Sequence, residues 1–518
     1  MKSVKLFRTV LCLLPTLAFL HACGGSSGSS SPTPTATITG SVYAAPVSGA
    51  TVVVLNSSGT TTIAGPVKTL SDGTYSVSIP TALLASDLIF SSNSGTYTDE
   101  ATGIQTPAGN MAAYVEAGTL TAGSKVTLDP SSTITHELMT AHGKTAAAAK
   151  TAFGNGFGFM PDASVVPELC TSPLSGTNAA PRLRGLVAAA LSQLTQDLGL
   201  APEQQFDLFT ALAEDISDGK LDGMNGASPV TVPGTAVVIP TNIVTRYYQA
   251  VDNASRTTFT STYKVEYLPG MMAAAQGKTT FKIKVTKRSD SSAAPGLTLS
   301  LMPMMHMLTM NHATPVDNIV DNGDGTYSCT VYYLMPSVMS GMAMGCWELK
   351  VMIGGGMTGE ATTFYPNVGM AMGDTVSASL YGPSDIINGM TGTENRKYYL
   401  FKESIISAAT PTLNLYIAHD EGMKMSFKPA FNGAVLSDPN GTITSMSVRA
   451  STDKINWSTS NVDNANGHWS LSGISGLASG VTTTIYVELI VNTEQKTTSG
   501  AAPSGTNDYA SFQVTPQP

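Results

Sequence analysis

Residues 301–312 read LMPMMHMLTMNH, which places five thioethers and two imidazoles within twelve positions. A core built only for packing would use Leu, Ile and Val, which are stiffer and fill space more predictably. Thioether sulfur is a neutral, polarisable donor suited to Cu(I), and imidazole accepts copper in either oxidation state. Thirteen of the 24 methionines fall between Met302 and Met372, where an even spread over the chain (24 × 71/518) would place about three. A second dense segment is MPSVMSGMAMGCW, residues 335–347. The candidate copper donors are therefore Met302, Met304, Met305, His306, Met307, Met310, His312, Met335, Met339, Met342 and Met344, with Cu(I) as the favoured ion.

If residues 302–307 form a strand, Met302, Met304 and His306 share one face, and Met305 and Met307 take the other. His312 joins His306 only if the chain turns at Thr309 to Asn311. The Gly- and Ser-rich MSGMAMG (339–345) reads as a flexible loop. Two other readings stand beside metal binding. One is an adaptable methionine surface for a protein partner in the cell envelope. The other is simple filling between two sheets, which is the preferred reading for Trp347, Leu349, Val351 and Met352.

The elements around these donors resemble the YtkA-like (FixH-like) domain. The matching residues are Met302-Pro303-Met304-Met305-His306-Met307, Gly325-Thr326-Tyr327 through Met335, and Gly345-Cys346-Trp347-Glu348-Leu349-Lys350-Val351, within about 280–378. The resemblance implies a β-sandwich and adds modest support for copper. Met339, Met342, Met344 and Cys346 go beyond the family's pattern.

The N-terminus bears on where such chemistry would operate. Lys2, Lys5 and Arg8 precede the apolar stretch LCLLPTLAFL (11–20), which is signal-like and too short to span a bilayer. Leu20-His21-Ala22-Cys23 resembles the lipobox of bacterial lipoproteins. That resemblance implies cleavage of residues 1–22, lipid on Cys23, and an outer-membrane address because Gly24 follows. Residues 23–37 are uncharged and Ser-, Gly- and Pro-rich, so they read as a tether. With Cys12 in the signal and Cys23 lipidated, Cys170, Cys329 and Cys346 remain. They allow one bridge, with Cys329 to Cys346 the favoured pair; the alternative is that these thiols are buried or bind metal.

Composition bounds the rest. The chain has 518 residues, enough for three or four domains, and only 12% charged residues with a net charge of −9. No basic stripe exists to neutralise phosphates, which excludes nucleic acid as a partner. Residues 38–128 alternate and turn like a small sandwich. Through ITGSVYAAPVSGATVVVLN and SDGTYSVSIP they resemble the carboxypeptidase regulatory-like (transthyretin-like) domain. From 131 the period becomes helical. Leu183 to Leu198 form one apolar stripe, a second helix runs from Pro202 to a stop at Gly219, and a third spans about Ile243 to Val251. Two near-motifs fall here. THELMTAH lacks the i+4 histidine of a zinc protease, and DISDGKLDG (215–223) reads as a helix end and turn rather than a calcium loop.

Strand patterns return over 279–400 and 411–516. The expected fold is mainly β with a helical middle, as tandem Ig-like or transthyretin-like sandwiches. Its expected units are 38–128, 129–260, 261–400 and 401–518. No Ser-His-Asp constellation, nucleotide loop or haem motif appears, so the chain reads as non-enzymatic. The expected function is copper binding at the envelope by a lipid-anchored protein. The alternative is a surface scaffold or adhesion module without a metal.

Overall fold

The computed structural model describes residues 33–174, 180–355, 359–389, 392–407, 410–424, 426–464 and 466–516. The signal-like segment, Cys23, residues 24–32 of the tether and Met357 lie outside the described residues. The fold is mainly β with a helical middle. Among the described residues no helix is long and apolar enough to cross a membrane.

The first sandwich packs a three-stranded sheet (Thr74–Pro80, Thr35–Val42, Lys125–Leu128) on a four-stranded one (Thr62–Lys68, Thr51–Asn56, Leu88–Asn93, Met111–Val115). Its core takes Ile38, Val52, Val54, Val77, Ile79 and Phe90, the inward set of a period-2 alternation. The first strand starts at Thr35, paired with Pro80, so the last residues of the expected tether are sheet.

Among the described residues five α-helices follow: α1 (Pro130–Thr140), α2 (Ala146–Phe157), α3 (Ala180–Asp197), α4 (Gln205–Asp215) and α5 (Ile243–Ser255). Helix α1 opens with a capping box: the Asp129 carboxylate accepts from Ser132 N at 2.8 Å and Asp129 N donates to Ser132 Oγ at 2.9 Å. Asp129 also pairs with the buried Arg184 of α3 at 2.6 Å. Helix α4 extends through a short 3₁₀ turn to Gly219, whose φ of 102° ends it, as expected. Asp215 accepts from the backbone N–H groups of Asp222 and Gly223, so DISDGKLDG is a turn closed on itself. In the other near-motif, His142 faces Glu214 of α4 at 3.4 Å, while Nε2 of His136 is buried without a partner.

The methionine sandwich comprises a five-stranded sheet (Thr257–Phe259, Tyr263–Pro269, Gly277–Lys287, Thr326–Tyr333, Val320–Asp321). Against it lies a four-stranded one (Asn311–Ala313, Leu299–His306, Cys346–Ile353, Glu360–Phe364). The C-terminal sandwich contains Ser377–Gly389, Gly392–Ile406 and Thr412–Asp420 in one sheet, and Met446–Ser451, Thr483–Val491 and Ala510–Val514 in the other. This corrects the expected boundary at 400. Ser377–Gly389 pairs along Gly392–Ile406, which pairs in turn with Thr412–Asp420, so the unit begins near residue 376. Leu380, Tyr398 and Leu400 join its core with Leu413, Trp469 and Phe512.

Candidate metal centre

The strand Leu299–His306 alternates as its sequence requires. Leu299, Leu301 and Met305 point inward, and Ser300, Met302, Met304 and His306 point outward. Pro303 precedes the point at which pairing with Asn311–Ala313 begins. There the strand is bonded on one side only, which is where a sheet tolerates proline. Met305 is 0% exposed and packs with Trp347, Leu349 and Val351 in the core, while Met302 is 47% exposed.

The chain does turn after Met307, whose N–H donates to the Met310 carbonyl at 3.1 Å. The returning strand, however, places His312 opposite Met305 and Asn311 opposite His306. Directly paired residues share a face, so the two histidines lie on opposite sides of the sheet. They cannot serve one ion. Outside, His306 Nε2 lies 2.8 Å from the Glu348 carboxylate, and Met304 is the cross-strand neighbour of Glu348. Inside, the His312 Nδ1–H donates to the Ala313 carbonyl at 3.1 Å, and Nε2 lies 3.1 Å from the Met335 sulfur. Trp347 donates its indole N–H to the Met335 carbonyl at 3.0 Å, and its ring meets His312 edge-on at 5.2 Å. Burial lowers the His312 pKa, against the pull of its Ala313 hydrogen bond, and the Lys397 charge lowers it further.

The second methionine segment is ordered where a flexible loop was expected. Val338–Met339 and Met342–Ala343 form a β-hairpin whose two turn residues, Ser340 (φ 51°) and Gly341 (φ 77°), both sit at positive φ. That is the turn whose twist matches two antiparallel strands. Met339 stands directly across from Met342, and Met344 N donates to the Ser337 carbonyl at 2.8 Å, which carries the ladder one step further. Met339, Met342 and Met344 therefore occupy one face. Val338 and Ala343 take the other and pack on the helical core. Met342 is 61% exposed, Met339 38%, and Met344 is half-buried against the sandwich.

The eleven candidate donors thus divide into groups rather than converging. Met339, Met342 and Met344 share the hairpin, and His312 and Met335 touch. Met304 and His306 flank Glu348, whereas Met302 and Met310 (57% exposed) face outward and Met305 and Met307 pack on the core. Among the described residues no three of His, Cys, Asp and Glu come together as could hold a metal. The soft donors that do come together here are thioethers, in one place beside an imidazole, a donor set that fits Cu(I). The bridge from Cys329 to Cys346 is not formed: all three thiols are free and buried. Cys329 packs inside the methionine sandwich, where burial pushes its pKa up to about 12. Cys346 packs on the far side of its sheet with Tyr247, Tyr248 and Tyr365.

Nothing in the sequence marks what surrounds His312. Its surroundings open into a cleft of about 480 Å³. The opposite wall is Lys397, Tyr399, Asp420 and Phe427 of the C-terminal sandwich, contributed by strands that nothing local in the chain connects to Met335.

No family model matches this chain, and no curated protein matches it. Among solved structures, a conserved domain protein from Bacillus anthracis shares 8% identity over 46% of this chain and 77% of its own, with a TM-score of 0.19. Invasin, a bacterial integrin-binding protein, shares 10% identity over 87% of this chain and 51% of its own, with a TM-score of 0.13. Surface layer protein SbsC, domains 4–9, shares 13% over 49% and 31%, with a TM-score of 0.16. At these scores none of the three defines the fold or the function of this chain.

Proposed function

We propose that this chain is a non-enzymatic envelope lipoprotein, anchored in the outer membrane through Cys23, that binds Cu(I) on its methionine-rich sandwich in copper handling or sensing. The observation that carries the reading is the hairpin face of Met339, Met342 and Met344. Cross-strand Cβ atoms lie about 5 Å apart, so flexible thioethers opposite one another reach a common ion without backbone movement. Three neutral sulfurs suit a soft monovalent ion and discriminate against hard divalent ones.

Titration of the mature chain with Cu(I) against a colorimetric chelator tests this, with X-ray absorption to read sulfur neighbours. Replacing Met339, Met342 and Met344 together by Leu should remove the hairpin copper while costing under about 1.5 kcal/mol of stability per site. Undiminished binding in that variant defeats the assignment. A second reading, a surface scaffold without a metal, draws on the joined sandwiches at the C-terminal end. It requires envelope partners to be recovered equally from copper-free and copper-loaded protein. For the anchor, Cys23→Ala should move the protein from the membrane fraction to the soluble fraction.

A further inference from the structure

We propose that the cleft between the methionine sandwich and the C-terminal sandwich is a second Cu(I) site, separate from the hairpin, with His312 Nε2 and Met335 Sδ as its protein ligands. This rests on the reading that the sandwich takes soft metal, and adds a site of different donor chemistry at a domain junction.

The argument begins with the imidazole tautomer. A backbone carbonyl only accepts, so the 3.1 Å contact from His312 Nδ1 to the Ala313 oxygen fixes the ring proton on Nδ1. The neutral ring then turns the lone pair of Nε2 toward Met335 Sδ, 3.1 Å away, and that sulfur also carries lone pairs. Two donors face each other with no proton assigned between them, an arrangement that a small soft cation stabilises. The backbone carbonyl on the other ring nitrogen is the outer-shell partner that metal-bound histidines commonly have.

The ligands are held, and the site is reachable. Trp347 fixes the Met335 backbone through its indole N–H and abuts the His312 ring. Both residues line the 480 Å³ cleft. The charged groups facing them across it are Glu394, Asp420 and Lys397. Lys397 is itself drawn over the rings of Tyr381 and Tyr399, at 5.4 and 4.5 Å, leaving two carboxylates against one ammonium for an entering cation. Bonds as long as those zinc makes, about 2.0 Å to nitrogen and about 2.3 Å to sulfur, would set the two donors about 3.7–4.3 Å apart. Met335, with three rotatable side-chain bonds, must withdraw its sulfur by about 1 Å.

The test uses the full mature chain with Cu(I) as the probe, reading stoichiometry and nitrogen and sulfur neighbours by X-ray absorption. Wild type should bind at both sites. Met335→Leu and His312→Ala should each lose one copper and the nitrogen signal, while keeping a sulfur-only copper at the hairpin. The Met339/Met342/Met344→Leu variant should show the reverse, one copper with a nitrogen neighbour. Met335→Leu nearly conserves volume, so it remains informative if His312→Ala unfolds. If Met335→Leu and His312→Ala leave stoichiometry and the nitrogen signal intact, the cleft site is wrong and the hairpin reading stands. If the hairpin variant loses all copper, the cleft site is again wrong. If wild type binds no copper, both fall.

Discussion

His306 is the residue whose role changes most on folding. In sequence it sits at the centre of the methionine run. In the structure it is the partner of Glu348, whose side chain is only 10% exposed, 42 positions along the chain. His306→Ala should therefore act on stability, lowering it by about 1–3 kcal/mol because a buried carboxylate loses its partner. Cu(I) stoichiometry should not change. Urea unfolding alongside a copper titration checks both, and copper loss at unchanged stability would return His306 to the ligand set. The shared face of Met302, Met304 and His306 was readable from residue order once a strand was assumed, since period 2 sends every other side chain to the same side. The opposite facing of His306 and His312 was not, because it depends on how many residues the Met307–Met310 turn consumes before pairing resumes.

Among elements, the hairpin carries most of the proposed copper chemistry. Ser-Gly between methionines looks loose in sequence, yet the same pair is turn chemistry, and packing of Val338 and Ala343 on the helical core decides between the two. A Cβ at Gly341 would meet nothing within 4 Å, so its cost is purely conformational at φ 77°. Gly341→Val should destabilise the turn by about 1–2 kcal/mol and weaken Cu(I) binding while leaving every sulfur in place. Equal affinity in that variant would mean the thioethers bind without the hairpin geometry. Helix α2 was not singled out in the sequence: its run of alanines shows no apolar stripe, and glycine is a poor helix former. Gly156 is a point of close approach, where a Cβ would come within 3.1 Å of Ile216.

At the scale of the molecule, the methionine and C-terminal sandwiches are joined by a polar and aromatic junction. Tyr332 stacks on Tyr416 at 4.1 Å and donates its hydroxyl to Glu403 at 2.9 Å. His468 stands between Asp317 (3.1 Å) and Glu403 (2.8 Å), and Lys278 also pairs with Glu403. The hydrogen bonds to Asp317 and Glu403 raise the His468 pKa to about 9. A raised folded pKa means that the stabilisation is complete below the unfolded value of about 6.5 and disappears as pH climbs through about 9. The melting temperature should accordingly fall between pH 7 and 10, and His468→Gln should flatten that decline. A decline of the same size in the variant would assign it to other groups. None of this junction was legible beforehand. Asp317, Glu403 and His468 lie far apart in sequence, and the strands Ser377–Gly389 and Gly392–Ile406 declare their sandwich only through distant pairing.

Two of the free thiols set a race. Under the proposed export, a chain arriving unfolded in an oxidising compartment carries Cys329 and Cys346 seventeen positions apart, close enough to meet before either reaches its own core. Once folded, each is walled off on a different side of the sandwich, and the thiolate form that oxidants attack is suppressed by burial. Protection is therefore kinetic at first and structural only afterwards. Refolding under an oxidant should trap a fraction of molecules that a reductant rescues. Cys329→Ala should raise the oxidative yield without changing the yield in reductant, and a yield indifferent to both would show that collapse outruns oxidation.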